Sequence, residues 1–272
     1  MQAPPVHWGR NFTPTVHHDP TPAIDPSKVT LPPGFTIVVT GAGKGIGEYI
    51  AKAYAKARAS AVIITSRTAK DLERVKGELE QIASSNGVEI NVSTLAGDAS
   101  REEHYQQIKQ LLATEHDSRL DVLVNNAGTI GSNQGFTNKL PETSSEDMEW
   151  ITALNYLGPV GKTIINVSSV GAFMTSNNPI AYGISKVALN RLTEHVAENY
   201  VDEGLVCLAL HPGGVMSDSG SRVPEFLQAM LKDDITLCGA VCVWLSKEQQ
   251  PWASGRFLAA TWDMQELEAT KD

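Results

Sequence analysis

No stretch of this 272-residue chain approaches the roughly 18–20 consecutive apolar residues of a membrane-spanning helix, so no membrane partner is expected. Positive charge is also in short supply. Lys and Arg number 22 against 31 Asp and Glu, for a net charge of −9, and no basic stripe offsets it, which argues against a nucleic-acid partner. Cysteine is scarce: Cys207, Cys238 and Cys242 are odd in number and lie in apolar segments. That excludes a disulfide framework and reads as reduced core thiols, with Cys238 and Cys242 on one helix face. No metal is expected either. The pair His17-His18 lacks a second ligand pair nearby and reads as solvated loop.

Proline is unevenly spread. Residues 1–34 hold eight of the chain's 14 prolines, which argues against helix there and for an extended or partly disordered arm. The arm has neither the apolar core of a signal peptide nor the arginine-rich amphipathic character of a transit peptide, so cytoplasmic residence is the default expectation. From Phe35 to the end the pattern changes. Strand-like runs alternate with helical ones: 61–65, 70–83, 89–95, 102–115 and 122–125 are the clearest. Such alternation predicts one α/β domain over 35–272, a doubly wound parallel sheet with helices on both faces. A 42% hydrophobic content is enough for one large core at this length, and the chain is short for two full domains.

The ligand crevice of such a sheet lies at the carboxyl ends of its strands. There the apolar run Phe35–Val39 leads into Thr40-Gly41-Ala42-Gly43-Lys44-Gly45-Ile46-Gly47 and then an alanine-rich helical stretch. Glycines at such a turn permit φ > 0 and close ligand approach, and the helix N-terminus attracts a pyrophosphate. The spacing is G-x-x-x-G-x-G. It is neither the G-x-G-x-x-G dinucleotide fingerprint nor a P-loop, so by itself it could be a simple strand-to-helix connection.

A second constellation adds chemistry. The strand-like Ile164–Val167 runs into Ser168-Ser169, and Tyr182-Gly183-Ile184-Ser185-Lys186 opens a long helical stretch. Tyr182 and Lys186, at i and i+4, share a helix face. Bringing a tyrosine from a pKa of about 10 to neutrality requires about 4 kcal/mol. A cation about 4 Å away at an effective dielectric near 20 supplies about that much. A serine hydroxyl nearby could donate to a substrate carbonyl while Tyr182 gives or takes the proton.

Taken together, and with Asn125-Asn126-Ala127-Gly128 between them, these pieces resemble the short-chain dehydrogenase/reductase family over about residues 35–260. The motifs stand in family order: the glycine run at 40–47, Asp98 after a strand, NNAG at 125–128, Asn155, the serine, YxxxK at 182–186, and Pro212-Gly213. The resemblance implies a Rossmann-like fold, an NAD(H) or NADP(H) cofactor, and a Ser-Tyr-Lys centre with an asparagine in a proton relay. By that pattern Ser169, Tyr182, Lys186 and Asn155 are the catalytic candidates, with Ser169 chosen for its thirteen-residue spacing to Tyr182 and Ser168 as the alternative. The cofactor-binding candidates are Gly41, Lys44, Gly45, Ile46, Gly47, Arg67, Asp98, Asn125, Ala127, Gly128, Tyr182, Lys186, Val215 and Ser217. Asp98 is expected at the adenine, Asn125 beside the adenosine ribose, and the turn containing Val215 and Ser217 along the nicotinamide.

Cofactor choice can be argued from one turn. About twenty residues after the glycine run, where an NAD enzyme places an acid to hold the ribose 2′-hydroxyl, stand Ser66 and Arg67. Arg67 can pair with a 2′-phosphate and Lys44 can approach from the other side, so NADP(H) is expected. Farther on, 218–234 reads as a substrate lid in which Val223, Phe226, Leu227 and Met230 have helical spacing. They either line an apolar pocket or pack a short helix onto the core. Trp262-Asp263 resembles fungal-type members that reduce ketones in secondary metabolism.

One departure stands out. Asn155 and Ser169 are only fourteen residues apart, about half the separation usual in relatives, and Gly158-Pro159 in between ends a helix. The reading is therefore an NADP(H)-dependent oxidoreductase interconverting a ketone and a secondary alcohol, whose homo-oligomer interface is altered by the missing helical length. Its rival is a catalytically impaired dinucleotide-binding or partner protein in which the short crossover misplaces Asn155 or Ser169.

Overall fold

In the computed structural model, residues 9, 12–129, 162–175, 178–217, 220–223 and 225–271 are described. Seven parallel strands form one sheet in the order β3-β2-β1-β4-β5-β6-β7. They are β1 (Thr36–Thr40), β2 (Ala61–Ser66), β3 (Asn91–Ala96), β4 (Val122–Asn125), β5 (Thr163–Val167), β6 (Val206–His211) and β7 (Phe257–Ala259). The described helices are α1 (Gly45–Lys56), α2 (Ala69–Ser85), α3 (Glu102–Glu115), α4 (Ile180–Asn199), α5 (Glu225–Gln228), α6 (Leu237–Lys247) and α7 (Met264–Glu268).

Strand side chains alternate between faces, and the central strands are apolar on both because helices cover both. Ile37 and Val39 of β1 pack with Ile50 of α1, Leu72 and Val75 of α2 and the wholly buried apolar run of α6. Val38 points the other way, to Tyr105, Ile108 and Leu112 of α3. Cys238 and Cys242 are buried free thiols on α6, as their spacing implies. The strand order reverses between β1 and β4, and this topological switch point opens a crevice at the carboxyl edge of the sheet.

Two expectations change. The arm is not loose over its described part: Asp25 caps a short 3-10 turn, Pro26–Lys28, and Ile24 and Leu31 are buried in the main core. Proline is tolerated at the first position of such a turn because its missing N–H would have had no partner there. Nor are His17 and His18 a solvated loop. His17 Nε2 lies 2.6 Å from Asp263 Oδ2, His18 Nδ1 meets Asp233 Oδ1, and Val16 bridges Trp262. The shortened crossover, Asn155 and Gly158-Pro159 lie outside the described residues. At its far end, β5 pairs with β4 in parallel register from Val122↔Thr163 to Asn125↔Asn166.

Candidate active site

The glycine run needs its glycines for stated reasons. Gly41 sits at φ 67°, and a Cβ there would fall 2.8 Å from Ala127 Cα. A Cβ on Gly43 would fall 2.6 Å from Ser66 Oγ, and one on Gly47 2.4 Å from Asn126 Nδ2. Gly45 has φ 62°, and a Cβ there would come no nearer than 4.0 Å to Ser217 Cβ, so its need is conformational. The turn is knitted to the NNAG segment: Thr40 Oγ1 accepts from Asn126 N and Ala127 N, both at 3.1 Å, while Asn126 Nδ2 donates to Thr40 O at 3.0 Å. From α2, Arg74 Nη2 donates to Gly43 O at 3.0 Å and to Glu48 Oε2 at 2.7 Å. Burial would raise the Glu48 carboxyl, but Arg74 and Lys52 together hold it below its ordinary value.

In front of this turn runs a cleft of about 310 Å³. Of the cofactor candidates, Gly41, Lys44, Gly45, Ile46, Arg67 and Asp98 line it, as do Ala127, Gly128, Tyr182, Lys186 and Ser217. Asp98 accepts from Ser100 N and Oγ at 2.9 and 2.8 Å, and the backbone bond above all holds its carboxyl below the ordinary range, with Arg67 and Arg101 adding to the effect. Thr65 Oγ1 is buried in the same wall and has no hydrogen-bond partner among the described residues. A glycine cradle that any Cβ would fill, a helix N-terminus and a buried spare hydroxyl suit a dinucleotide phosphate and ribose.

Three candidates are placed elsewhere. Asn125, the last residue of β4, points across the sheet, where its Nδ2 donates to Asn166 Oδ1 at 2.9 Å, because strand side chains alternate. Its neighbour Asn126 is the one on the cleft. Gly47 is a packing glycine behind the turn. Val215 faces a second pocket rather than the cleft.

That second pocket, about 230 Å³, shares Tyr182, Ser168, Ile46, Pro212 and Ser217 with the cleft. Ser169 and Tyr182 stand together on its wall, close enough that the Ser169 hydroxyl draws the Tyr182 phenol down, and Ser169 Oγ accepts from Gly171 N at 3.0 Å. Ser168 Oγ is turned away, donating to Asn190 Oδ1 at 2.6 Å. The geometry thus favours Ser169 over Ser168 as Tyr182's partner. Val223, Leu227 and Met230 line the pocket, although of these only Leu227 lies in the short helix Glu225–Gln228; the Phe226 side chain and Asn155 lie outside the described residues.

The lysine differs from expectation. Lys186 Nζ donates to Val167 O at 2.9 Å and lies 5.7 Å from the Tyr182 ring centroid. Burial raises the Tyr182 phenol despite the Ser169 hydroxyl, and burial lowers the Lys186 ammonium to about 8. In this arrangement the lysine is not among the causes of the tyrosine's shift, and burial dominates the titration of both groups. Sequence reasoning also missed Thr40, Asn126 and Arg74. The first two lie inside quoted motifs and needed only the register, whereas nothing in the sequence pairs Arg74 with the glycine turn.

The sequence profile of the short chain dehydrogenases matches residues 35–227. Short chain dehydrogenase pgmD of Aspergillus terreus is 47% identical over 287 aligned positions, which cover 98% of this chain and 92% of that protein. Short chain dehydrogenase mpl6 of Monascus purpureus is 32% identical, with coverage of 98% and 94%. Among solved structures, the L-sorbose reductase of Gluconobacter frateurii, complexed with NADPH and L-sorbose, superposes with a TM-score of 0.70 at 20% identity, over 85% of this chain and 95% of that one. The chain belongs to the short-chain dehydrogenase family of oxidoreductases, which use a nicotinamide dinucleotide. Structures of this fold hold NADPH in some cases and NAD in others, so the fold alone does not choose between them.

Proposed function

We propose that this protein is an NADP(H)-dependent oxidoreductase interconverting a ketone and a secondary alcohol. The observation that carries the reading is that Ser169 and Tyr182 stand together on the second pocket, with Tyr182 and Lys186 both on the glycine cleft. Hydride transfer to or from the carbonyl carbon is the chemistry a nicotinamide dinucleotide supplies there. Tyr182 gives its proton to the carbonyl oxygen in reduction and takes it back in oxidation, and the Ser169 hydroxyl orients the same oxygen. Lys186 would hold the ribose of a bound cofactor and, once charged, favour the phenolate of Tyr182. Asn155 is assigned the end of a water relay on resemblance alone.

Arg67 and Lys44, both on the cleft wall, would hold a 2′-phosphate, with Asp98 at the adenine. Among the described residues facing the second pocket there is no Asp, Glu, Lys or Arg, which favours a neutral, largely apolar ketone over a sugar or an acid. The fungal sources of pgmD and mpl6 support a place in secondary metabolism.

Kinetics on the purified protein, with NADPH or NADH and a panel of cyclic ketones, ketoses and keto acids, test the reading. Reduction of the cyclic ketones with NADPH favoured at least about tenfold is expected. Tight NADPH binding with no turnover of any carbonyl or alcohol would favour the impaired-protein alternative, whose support is the fourteen-residue spacing from Asn155 to Ser169.

A further inference from the structure

The substrate side of the site is tied to the N-terminal arm through one buried carboxylate. Asp233 follows the pocket-lining Met230 and Leu231, and its side chain is only 1% exposed. Its Oδ2 accepts from Gly214 N at 2.6 Å, and its own backbone N donates to Gly214 O at 2.9 Å. Gly214 belongs to the turn after β6 that forms the pocket's other wall, beside Gly213 at φ 95°. A Cβ on Gly213 would lie 3.0 Å from Asp233 Oδ2, and one on Gly214 2.7 Å from Met230 O. Two walls of the pocket are therefore locked together at Asp233 with no room for slippage.

The remaining Asp233 oxygen is taken by His18 Nδ1, and His18 O accepts from Asp234 N at 2.7 Å. The arm is anchored on its other side as well, by His17 N to Thr261 O at 2.8 Å, by the His17–Asp263 pair at 2.6 Å, and by Thr15 N to Glu266 Oε2 at 2.9 Å. A carboxylate this deeply buried is costly unless every oxygen is satisfied. Removing His18 leaves Asp233 with Gly214 as its only side-chain partner among the contacts above, and the group then gains by swinging toward water and releasing the turn.

We propose that His18 and Asp233 are positioning residues for substrate: the arm acts as a clasp that fixes the 211–215 turn against the 230–233 segment and so sets the shape of the carbonyl pocket. The inference rests on the proposed oxidoreductase reading for its kinetic consequence but not for its structural one. Neither residue lines the cleft or the pocket, so both act through Gly213 and Gly214.

The test uses the full chain and His18→Ala, His18→Asn and Asp233→Asn, with Tyr54→Phe as a control that removes a buried hydroxyl bonded to Ser246. Hydrogen exchange at the Gly214 amide, read without any ligand, should quicken at least about tenfold in His18→Ala. It should stay near wild type in His18→Asn, whose amide still offers a donor at the Nδ1 position. For a cyclic ketone that the wild type reduces, KM should rise about tenfold in His18→Ala, with a smaller rise in Asp233→Asn, while kcat stays within about threefold. Unaltered Gly214 exchange in His18→Ala would overturn the clasp, as would faster exchange with an unmoved KM, or a control that shifts KM equally. If the wild type reduces no ketone, the proposed function fails, and the exchange comparison alone decides the clasp.

Discussion

The cofactor-side turn and the substrate-side turn are both glycine-bearing loops at the carboxyl edge of one sheet, yet their side-chain partners come from different parts of the chain. Around Gly41–Gly47 the fixing partners come from the first half of the chain: Thr40, Arg74 and Asn126, the farthest of these contacts, Thr40 to Ala127, spanning 87 residues. Around Gly213–Gly214 the fixing carboxylate reaches back to an imidazole 215 residues away, on the arm. The first turn is specified by backbone needs that only one residue type meets, φ > 0 and no space for a Cβ. The second has the same needs at Gly213 and Gly214, and depends in addition on a side-chain pair, His18–Asp233, that reaches it from the arm.

The sharpest way to break this comparison is at the residue both halves share. Tyr182 lines cleft and pocket alike. Tyr182→Phe should cut turnover by about 10²–10⁴-fold, the usual worth of a general acid, with NADPH affinity measured by titration nearly unchanged. Activity within tenfold of wild type would remove Tyr182 from the chemistry. Next in size is a change confined to the cofactor side. Arg67→Asp should weaken NADPH by about tenfold to a hundredfold, since a charge-assisted bond to phosphate is worth about 1.5–3 kcal/mol. NADH affinity should change little; equal losses for both cofactors would mean that Arg67 does not read the 2′-phosphate.

The same contrast explains what the sequence could disclose. The helix 102–115 and strand 122–125 are found where alternation and periodicity put them, and the motif residues do gather at the strand ends. Asn125 and Asn126 could not be told apart without the register of β4, since one residue's shift turns a side chain to the opposite face. His17 and His18 read as solvent-exposed because a proline-rich arm carries no periodicity, and their partners Asp263 and Asp233 look like any other acids. The short crossover is a different case. The 287 positions aligned with pgmD exceed the chain's 272 residues, so at least fifteen of them are gaps in this chain, a deficit of the size that the Asn155–Ser169 spacing implies. Ser169 nevertheless meets Tyr182, which weakens the misplaced-serine half of the impaired-protein alternative.

A third measurement separates function from stability at Lys186. Its folded pKa of about 8 lies below the ordinary 10.5, so between those values the folded state holds fewer protons than the unfolded one, and stability rises with pH. Below pH 8 the buried ammonium costs on the order of 3 kcal/mol. The raised Tyr182 phenol opposes the trend only above its ordinary value of 10. Lys186→Met relieves the ammonium but leaves Val167 O without its donor, at about 1–3 kcal/mol. Cofactor-free Lys186→Met should therefore melt no lower than wild type at pH 7, and should lose the gain in melting temperature that wild type shows from pH 8 towards 10. A variant several degrees less stable at pH 7 would mean that the ammonium is well solvated in the folded protein.

The smallest effect is expected one residue from one of the largest. Ser168 and Ser169 are adjacent, but Ser169 stands beside Tyr182 on the second pocket while Ser168 Oγ donates to Asn190 Oδ1 on α4. Ser169→Ala should cost turnover about 10²-fold or more, because it removes a donor to the substrate oxygen. Ser168→Ala removes only one neutral hydrogen bond to an asparagine that is half exposed and can turn to water. It should cost about 0.5–1.5 kcal/mol of stability and leave kcat/KM within about threefold, since a bond present equally with and without substrate gives no differential stabilisation. Comparing the two variants' kcat/KM at matched cofactor saturation decides the matter. A larger loss in Ser168→Ala would transfer the carbonyl-orienting role to Ser168 and place the reacting oxygen on the cleft side of Tyr182, where Ser168 also stands.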